Sequence, residues 1–491
     1  MKLSVLALLA LPGALGLPSL EQQQVLGLHN IDGGAAVYEH VSHPAFADHS
    51  MRLKKPTLCD DSVKQYSGYL DIGEDKHLFF WFFESRASPS SDPLVMWLNG
   101  GPGCSSTTGL LFELGPCNIA KSDNGTVFTT RNEYSWNENA NVIFLDQPAN
   151  VGYSFSNRST PGQVMNTPVA AQDVYAFLQL FVRRFDEYAT LPFHLAAESY
   201  GGHYAPHIAS AVYRKNKELI QAPAAGLRRI NLESIMIGNG LTDPRIQMPS
   251  VVEYACDGPF AVFSPNSQQC RRLRSRAPIC KRLIEGCYAR DTVTSCSPAT
   301  FYCWSSWGIL DEAKRNIYDV RMPCDKNVDG PLCYQELPWI DEYMNQPEVK
   351  QALGADPRAP NFTACNYEMN FAFMLQGDGM RDSKSLLTEL VDDGIRLLIY
   401  AGNVDMMCNY MGESQWIAQL PSKHKEAFGK APFLPWTVSD RPAGVVRSAG
   451  EGAGNVTYLT VYEAGHMVPH DQPEAALDML TRWIHNVPLA D

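Results

Sequence analysis

HLAAESYGGHYAP, residues 194–206, decides how the rest of the chain is read. An apolar run gives way to a small residue, a polar residue, Ser199, an aromatic and a glycine. A nucleophile elbow has this form. It sets a serine on a sharp strand-to-helix turn with its Oγ standing above the sheet, and it needs small neighbours because backbone passes close by. PFHLAA before the serine reads as a short buried strand, and HYAPHIASAVYRKNKEL after it places Ile208, Val212 and Leu219 at helical spacing. An ordinary strand-to-helix corner fits the same string, so the surrounding sequence has to decide.

Working outward, short apolar runs alternate with helical patterns. HLFFWFFES, PLVMWLNGG, NVIFLDQP, INLESIMIGNG, IRLLIYAGN and VTYLTVYEAG read as further strands, and VAAQDVYAFLQLFVRRFDEY and PEAALDMLTRWI as helices. Near-continuous apolar strands between helices indicate an α/β fold, a mostly parallel central sheet covered by helices on both faces. Strand signals fade between about Arg245 and Asn370, where nine cysteines crowd together from Cys256 to Cys365. The expectation is an α/β-hydrolase core in two parts, 51–244 and 371–491, interrupted by a disulfide-rich helical insertion over 245–370 that sits as a lid on the carboxyl ends of the strands.

An α/β-hydrolase carries its triad in the order Ser, then Asp or Glu, then His. Asp405 follows the apolar run of LLIYAGNVDMMCN, and His466 follows that of VTYLTVYEAGHMVP. Asp146, in FLDQP, also follows a strand but precedes the serine and breaks the order. His203 and His207 have a spacing that binds zinc on one helix face, but the segment lacks the Glu of H-E-x-x-H and carries Pro206. No metal and no cofactor is expected.

The 491 residues carry a net charge of −13, which argues against nucleic acid and anionic membrane as partners. MKLSVLALLALPGALG (1–16), with one early Lys and small residues at Ala14 and Gly16, reads as a secretory signal peptide too short to span a membrane. Residues 17–50 read as a propeptide or flexible lead-in. Behind a signal peptide, the sequons at Asn124, Asn157, Asn361 and Asn455 are expected glycosylation sites, and the 13 cysteines read as disulfides with an odd thiol left over. A secreted or vacuolar/lysosomal location follows, with no membrane anchor and a monomeric state expected.

WLNGGPGCSS (97–106), FLDQPANVGYSFS (144–156), AESYGGHYAP (197–206), IGNGLTDP (237–244), AGNVDMMCN (401–409) and GHMVPHDQP (465–473) together resemble the motif set of the serine carboxypeptidases, carboxypeptidase Y type. The similarity runs from about Tyr66 to Ile484; Ala197 stands where the family usually has Gly. The resemblance implies release of C-terminal residues from peptides and proteins through an acyl-enzyme, with an acidic optimum. Ser199 would be the nucleophile, His466 the base and Asp405 its orienter. Backbone N–H groups of Gly101 and Tyr200 would form the oxyanion hole, and Asn99, Gly100, Glu113 and Glu198 would hold the substrate carboxylate. Thr108, Phe112, Leu241, Met407, Cys408 and Met467 would line substrate pockets. Gly379 stands where relatives often carry a Trp, and is expected to open the pocket for the penultimate side chain. The implied disulfides pair Cys104 with Cys365, Cys256 with Cys270, Cys280 with Cys303, Cys287 with Cys296, and Cys324 with Cys333. Cys59 and Cys117 are added as a sixth bridge, which leaves Cys408 free near the pocket. A family-related acyltransferase or an esterase is the alternative reading.

Overall fold

The computed structural model describes residues 38–157, 166–330 and 332–490. Six parallel strands form the centre of the sheet, in the spatial order Asn141–Leu145, Leu94–Leu98, Phe193–Glu198, Leu232–Gly238, Arg396–Gly402 and Val456–Val461. All but the first residues of Leu232–Gly238 are buried, which is why these segments read as unbroken apolar runs. The helices Thr167–Arg184 and Gly201–Gln221 pack against each other over the sheet, and Pro473–Ile484 buries Met479, Leu480 and Trp483. Ile208, Val212 and Leu219 face inward as their spacing predicts.

Antiparallel strands extend the sheet at both edges. Lys76–Phe83 has a strand's apolar run in the sequence; Glu39–His43, Phe46–Lys54, Gln65–Ile72, Leu434–Val438 and Arg441–Ala449 are strands that the sequence reading does not mark. Most of these carry polar residues on a solvated face, so their apolar pattern is broken. Glu39–His43 and Phe46–Lys54 lie within the stretch expected to be a lead-in. Residues 38–50 are therefore part of the sheet region, while the signal peptide and 17–37 lie outside the described residues.

The insertion leaves the sheet after Leu232–Gly238 and returns at Arg396–Gly402. The boundary expected at 370 falls inside the helix Tyr367–Gln376, which packs against Val293–Trp304. All six expected disulfides are present. Four close loops within the insertion, Cys104–Cys365 ties it to the core, and Cys408 is free and buried. Among the described residues, no helix is long and apolar enough to cross a membrane. Asn124, Asn157 and Asn361 are exposed, whereas Asn455 is half-buried in a turn.

Candidate active site

The strand Phe193–Glu198 ends at Ser199, whose φ of 60° puts a non-glycine residue in the left-handed region. Such strain persists only where the surroundings enforce it. Here Ser199 N donates to Gly238 O at 3.1 Å, and Ser199 O accepts from Gly202 N at 2.9 Å and Leu241 N at 2.8 Å. Glycines make room for the turn. A Cβ on Gly100 would stand 2.3 Å from Tyr200 N, and one on Gly201 would stand 2.6 Å from the Cβ of Ala197. The methyl of Ala197 is thus accommodated because its neighbour across the turn has none.

Asp405 and His466 follow adjacent parallel strands and meet, with His466 Nδ1 2.7 Å from Asp405 Oδ2. Both are buried. Asp405 also accepts from Asn239 Nδ2 at 2.8 Å, Met407 N at 2.8 Å and Cys408 N at 3.1 Å. With its oxygens so occupied, the carboxylate is fixed in place. Asn239 belongs to the quoted IGNGLTDP motif, but its link to Asp405 has no signal in a single sequence.

The insertion braces both loops. Ile317 O accepts from Met406 N at 3.1 Å and Met407 N at 3.0 Å, and Val320 N donates to Val404 O at 3.1 Å. Next in line, Tyr318 O accepts from His466 N at 2.8 Å, and the Tyr318 ring lies 4.9 Å from that of His466. Sequence reading missed Tyr318 because nothing local in NIYDV marks it.

Beside the serine, Glu113 and Glu198 are almost wholly buried, 2% and 4% exposed. Asn99 Nδ2 donates to Glu113 Oε1 at 2.9 Å and reaches Glu198 Oε1 at 3.4 Å, while its Oδ1 accepts from Trp97 Nε1 and Gly109 N. Burial, the nearby charge of Glu113 and a hydrogen bond with Glu113 hold the Glu198 carboxyl protonated well above the ordinary carboxylate range. Glu113 Oε2 is buried without a partner among the described residues.

Asn99, Gly100, Gly101, Glu198, Ser199 and His466 are among the residues that line one cavity of about 310 Å³, whereas Glu113 and Asp405 lie behind its wall. Neither Gly101 N nor Tyr200 N donates to another group among the described residues. Thr108 and Met467 line the cavity; Phe112, Leu241, Met407 and Cys408 do not. Phe112 instead stacks on His470 at 4.0 Å, and Leu241 packs in the core. Cys408 is 7% exposed, and burial together with the charges of Asp405 and Glu413 pushes its thiol well up, away from the thiolate form. Gly379 does not line this cavity, and a Cβ there would stand 2.9 Å from Cε2 of Tyr200, whose hydroxyl donates to Asp378 at 2.7 Å.

The residues set aside have structural work. Asp146 accepts from Ser105 Oγ, Ser106 N and Tyr153 N, and burial raises its carboxyl to about 6. Both ring nitrogens of His203 lie 2.9 Å from backbone carbonyls, of Leu241 and Asp378.

Comparison with known proteins agrees with this geometry. The family described as serine carboxypeptidase matches residues 56–486. Carboxypeptidase Y of Candida albicans is 46% identical over 91% of this chain and 78% of its own. A carboxypeptidase Y homolog A of Pyricularia oryzae is 46% identical over 86% and 73%. A prohormone-processing carboxypeptidase from Saccharomyces cerevisiae superposes with a TM-score of 0.73 at 24% identity, covering 88% of this chain and 94% of its own, which shows the shared fold.

Proposed function

The chain belongs to the serine carboxypeptidase family, and on that premise we propose how its residues carry out serine carboxypeptidase chemistry. The observation that carries the reading is a buried polar cluster, Asn99, Glu113 and Glu198, in which Glu198 keeps its proton, next to a strained serine. A protonated carboxyl donates a hydrogen bond, so Glu198 and Asn99 are suited to grip the terminal carboxylate of a peptide. Gly100, with its backbone against the elbow, lets the substrate come close.

With the carboxylate held there, the last peptide bond lies over Ser199. Its Oγ attacks the carbonyl carbon while His466 takes the hydroxyl proton, and Asp405 keeps Nδ1–H pointed correctly. Charge gathers on the carbonyl oxygen, where the uncommitted N–H groups of Gly101 and Tyr200 stabilise it. His466 returns the proton to the leaving amine, the terminal residue departs, and water attacks the ester by the same route in reverse. Thr108 and Met467 bound the space for the departing side chain.

The substrates are peptides and proteins with a free C-terminus. Protonated Glu198 favours activity in acid, against the need of His466 to be neutral as base. Six disulfides suit the oxidising lumen of the secretory route, and secretion or delivery to a vacuole completes the proposal. Asn124, Asn157 and Asn361 are accessible for glycosylation. The deciding assay compares a blocked dipeptide with its C-terminal amide at pH 5. Faster cleavage of the free acid, lost in Ser199→Ala, is the expected result. Equal cleavage of acid and amide would favour a general esterase or amidase.

A further inference from the structure

The helix Tyr367–Gln376, YEMNFAFMLQ, carries large apolar side chains on its exposed face as well as on its buried one, with Glu368 the one exposed charge beside them. Met369, Ala372 and Phe373 are buried, as the inner stripe of a surface helix should be. The opposite face should be polar, yet Tyr367, Phe371 and Leu375, each four residues apart, are 56%, 52% and 45% exposed. Phe301, on the helix Val293–Trp304, widens the row, with its ring edge-on to Phe371 at 6.3 Å. Single exposed apolar residues are ordinary; a contiguous row of large ones marks a binding surface.

This row runs into the active-site cavity. Tyr367 and Asn370 line that cavity, and the exposure of Tyr367 puts it at the mouth. The helix is also fastened to the glycine loop facing Ser199. Asn370 Nδ2 donates to Gly101 O at 3.1 Å and Pro102 O at 3.3 Å, and Asn366 N donates to Gly103 O at 2.8 Å. The row therefore keeps a fixed register with the reacting carbonyl. From position 367 to 375 a helix rises about 12 Å, the length of roughly three to four residues of extended peptide.

We propose that Tyr367, Phe371, Leu375 and Phe301 form a track for the residues of a peptide substrate upstream of its last two, selecting apolar ones. The proposal rests on the reading that Asn99 and Glu198 hold the terminal carboxylate. A peptide anchored there has to leave the cavity through its mouth, and the track begins at that point. Four side chains are few for pairing with a second copy of the chain, since a stable interface takes about 800 Å² from each partner.

The test is a series of peptides with the same last two residues and zero to four upstream residues, either Leu/Phe-rich or Ser/Gly-rich. In the wild type, kcat/KM should rise about 10-fold with apolar upstream residues, chiefly through KM, and level off by the fourth. The Ser/Gly series should rise less than about threefold. Phe371→Ser with Leu375→Ser should flatten the apolar series and leave turnover of the blocked dipeptide unchanged. An identical rise in that double variant overturns the track. So does a concentration-dependent dimer of the wild type that the variant abolishes, which would assign the row to a second copy. A wild type that cleaves amides as well as free acids overturns the carboxylate anchor, and the track's register with it.

Discussion

The parallel sheet and the insertion are held together by different forces. Phe193–Glu198, Arg396–Gly402 and Val456–Val461 are buried at every position and belong to two large apolar clusters. In the insertion, the helix Gln268–Arg290 buries only five residues, and three of them, Cys270, Cys280 and Cys287, are disulfide cysteines. So little apolar burial does not offset the entropy of ordering 23 residues, and covalent staples make up the difference. The roles cross over at the active site. Ser199, Asp405 and His466 all come from the sheet, but Ile317, Tyr318 and Val320 of the insertion hold the Asp405 and His466 loops to each other. Chemistry belongs to one region and alignment to both.

The sharpest separation comes from changing each region alone. Ser199→Ala should lower kcat by about 10⁴- to 10⁶-fold and leave the melting temperature unchanged, since only the reacting atom is lost. Residual turnover within tenfold of wild type would mean that the serine is not the nucleophile.

Removing a staple should do the reverse. Cys280→Ser with Cys303→Ser opens a 23-residue loop and should cost the insertion about 3 kcal/mol. Amides of residues 268–304 should then exchange faster while those of Phe193–Glu198 stay protected. Uniform loss of protection would show that the two regions unfold as one.

The pH dependence separates them next. Glu198 and Glu413 are both buried in or beside the sheet, and burial raises both carboxyls well above the usual range. Glu413 is bonded to Trp416 Nε1 at 2.5 Å and Gln247 Nε2 at 3.0 Å. The folded state therefore binds more protons than the unfolded one. Its stability from these groups is complete below the unfolded value of about 4.3 and is lost as pH rises through the raised folded values. Glu198→Gln should flatten that slope in urea melts taken from pH 4 to 8. Glu198→Ala, which leaves no donor in place of the protonated carboxyl, should remove most of the preference for free-acid over amide substrates, about 10- to 100-fold. An unchanged preference would leave Glu198 outside carboxylate recognition.

The smallest effect should come from the insertion's one carboxylate on the cavity wall, Asp341. Its Oδ1 accepts from Ala364 N at 2.6 Å, and no cation pairs with it among the described residues. Asp341→Asn should slow release of C-terminal Lys or Arg by about threefold to tenfold and leave release of Leu unchanged, as suits a partly solvated ion pair. Equal changes for Lys and Leu would assign Asp341 to structure alone.

The central strands, the elbow, the order Ser199, Asp405, His466 and, through resemblance, the disulfide pairs are legible from residue types alone. Strands buried on both faces and tight turns constrain residue type locally, so a single chain records them. The edge strands Glu39–His43 and Leu434–Val438 and their antiparallel neighbour Phe46–Lys54 are not legible there because part of each is solvated and the apolar pattern breaks. Which side chains wall the cavity depends on the folded chain. Leu241, Met407 and Cys408 stand close in sequence to the triad and its loops, yet they pack away from the cavity, while Tyr318, Asp341 and Tyr367 reach it from the insertion. A pocket wall is set by where distant segments cross, and Asn239 meets Asp405, or Tyr318 meets His466, only once the chain has closed on itself.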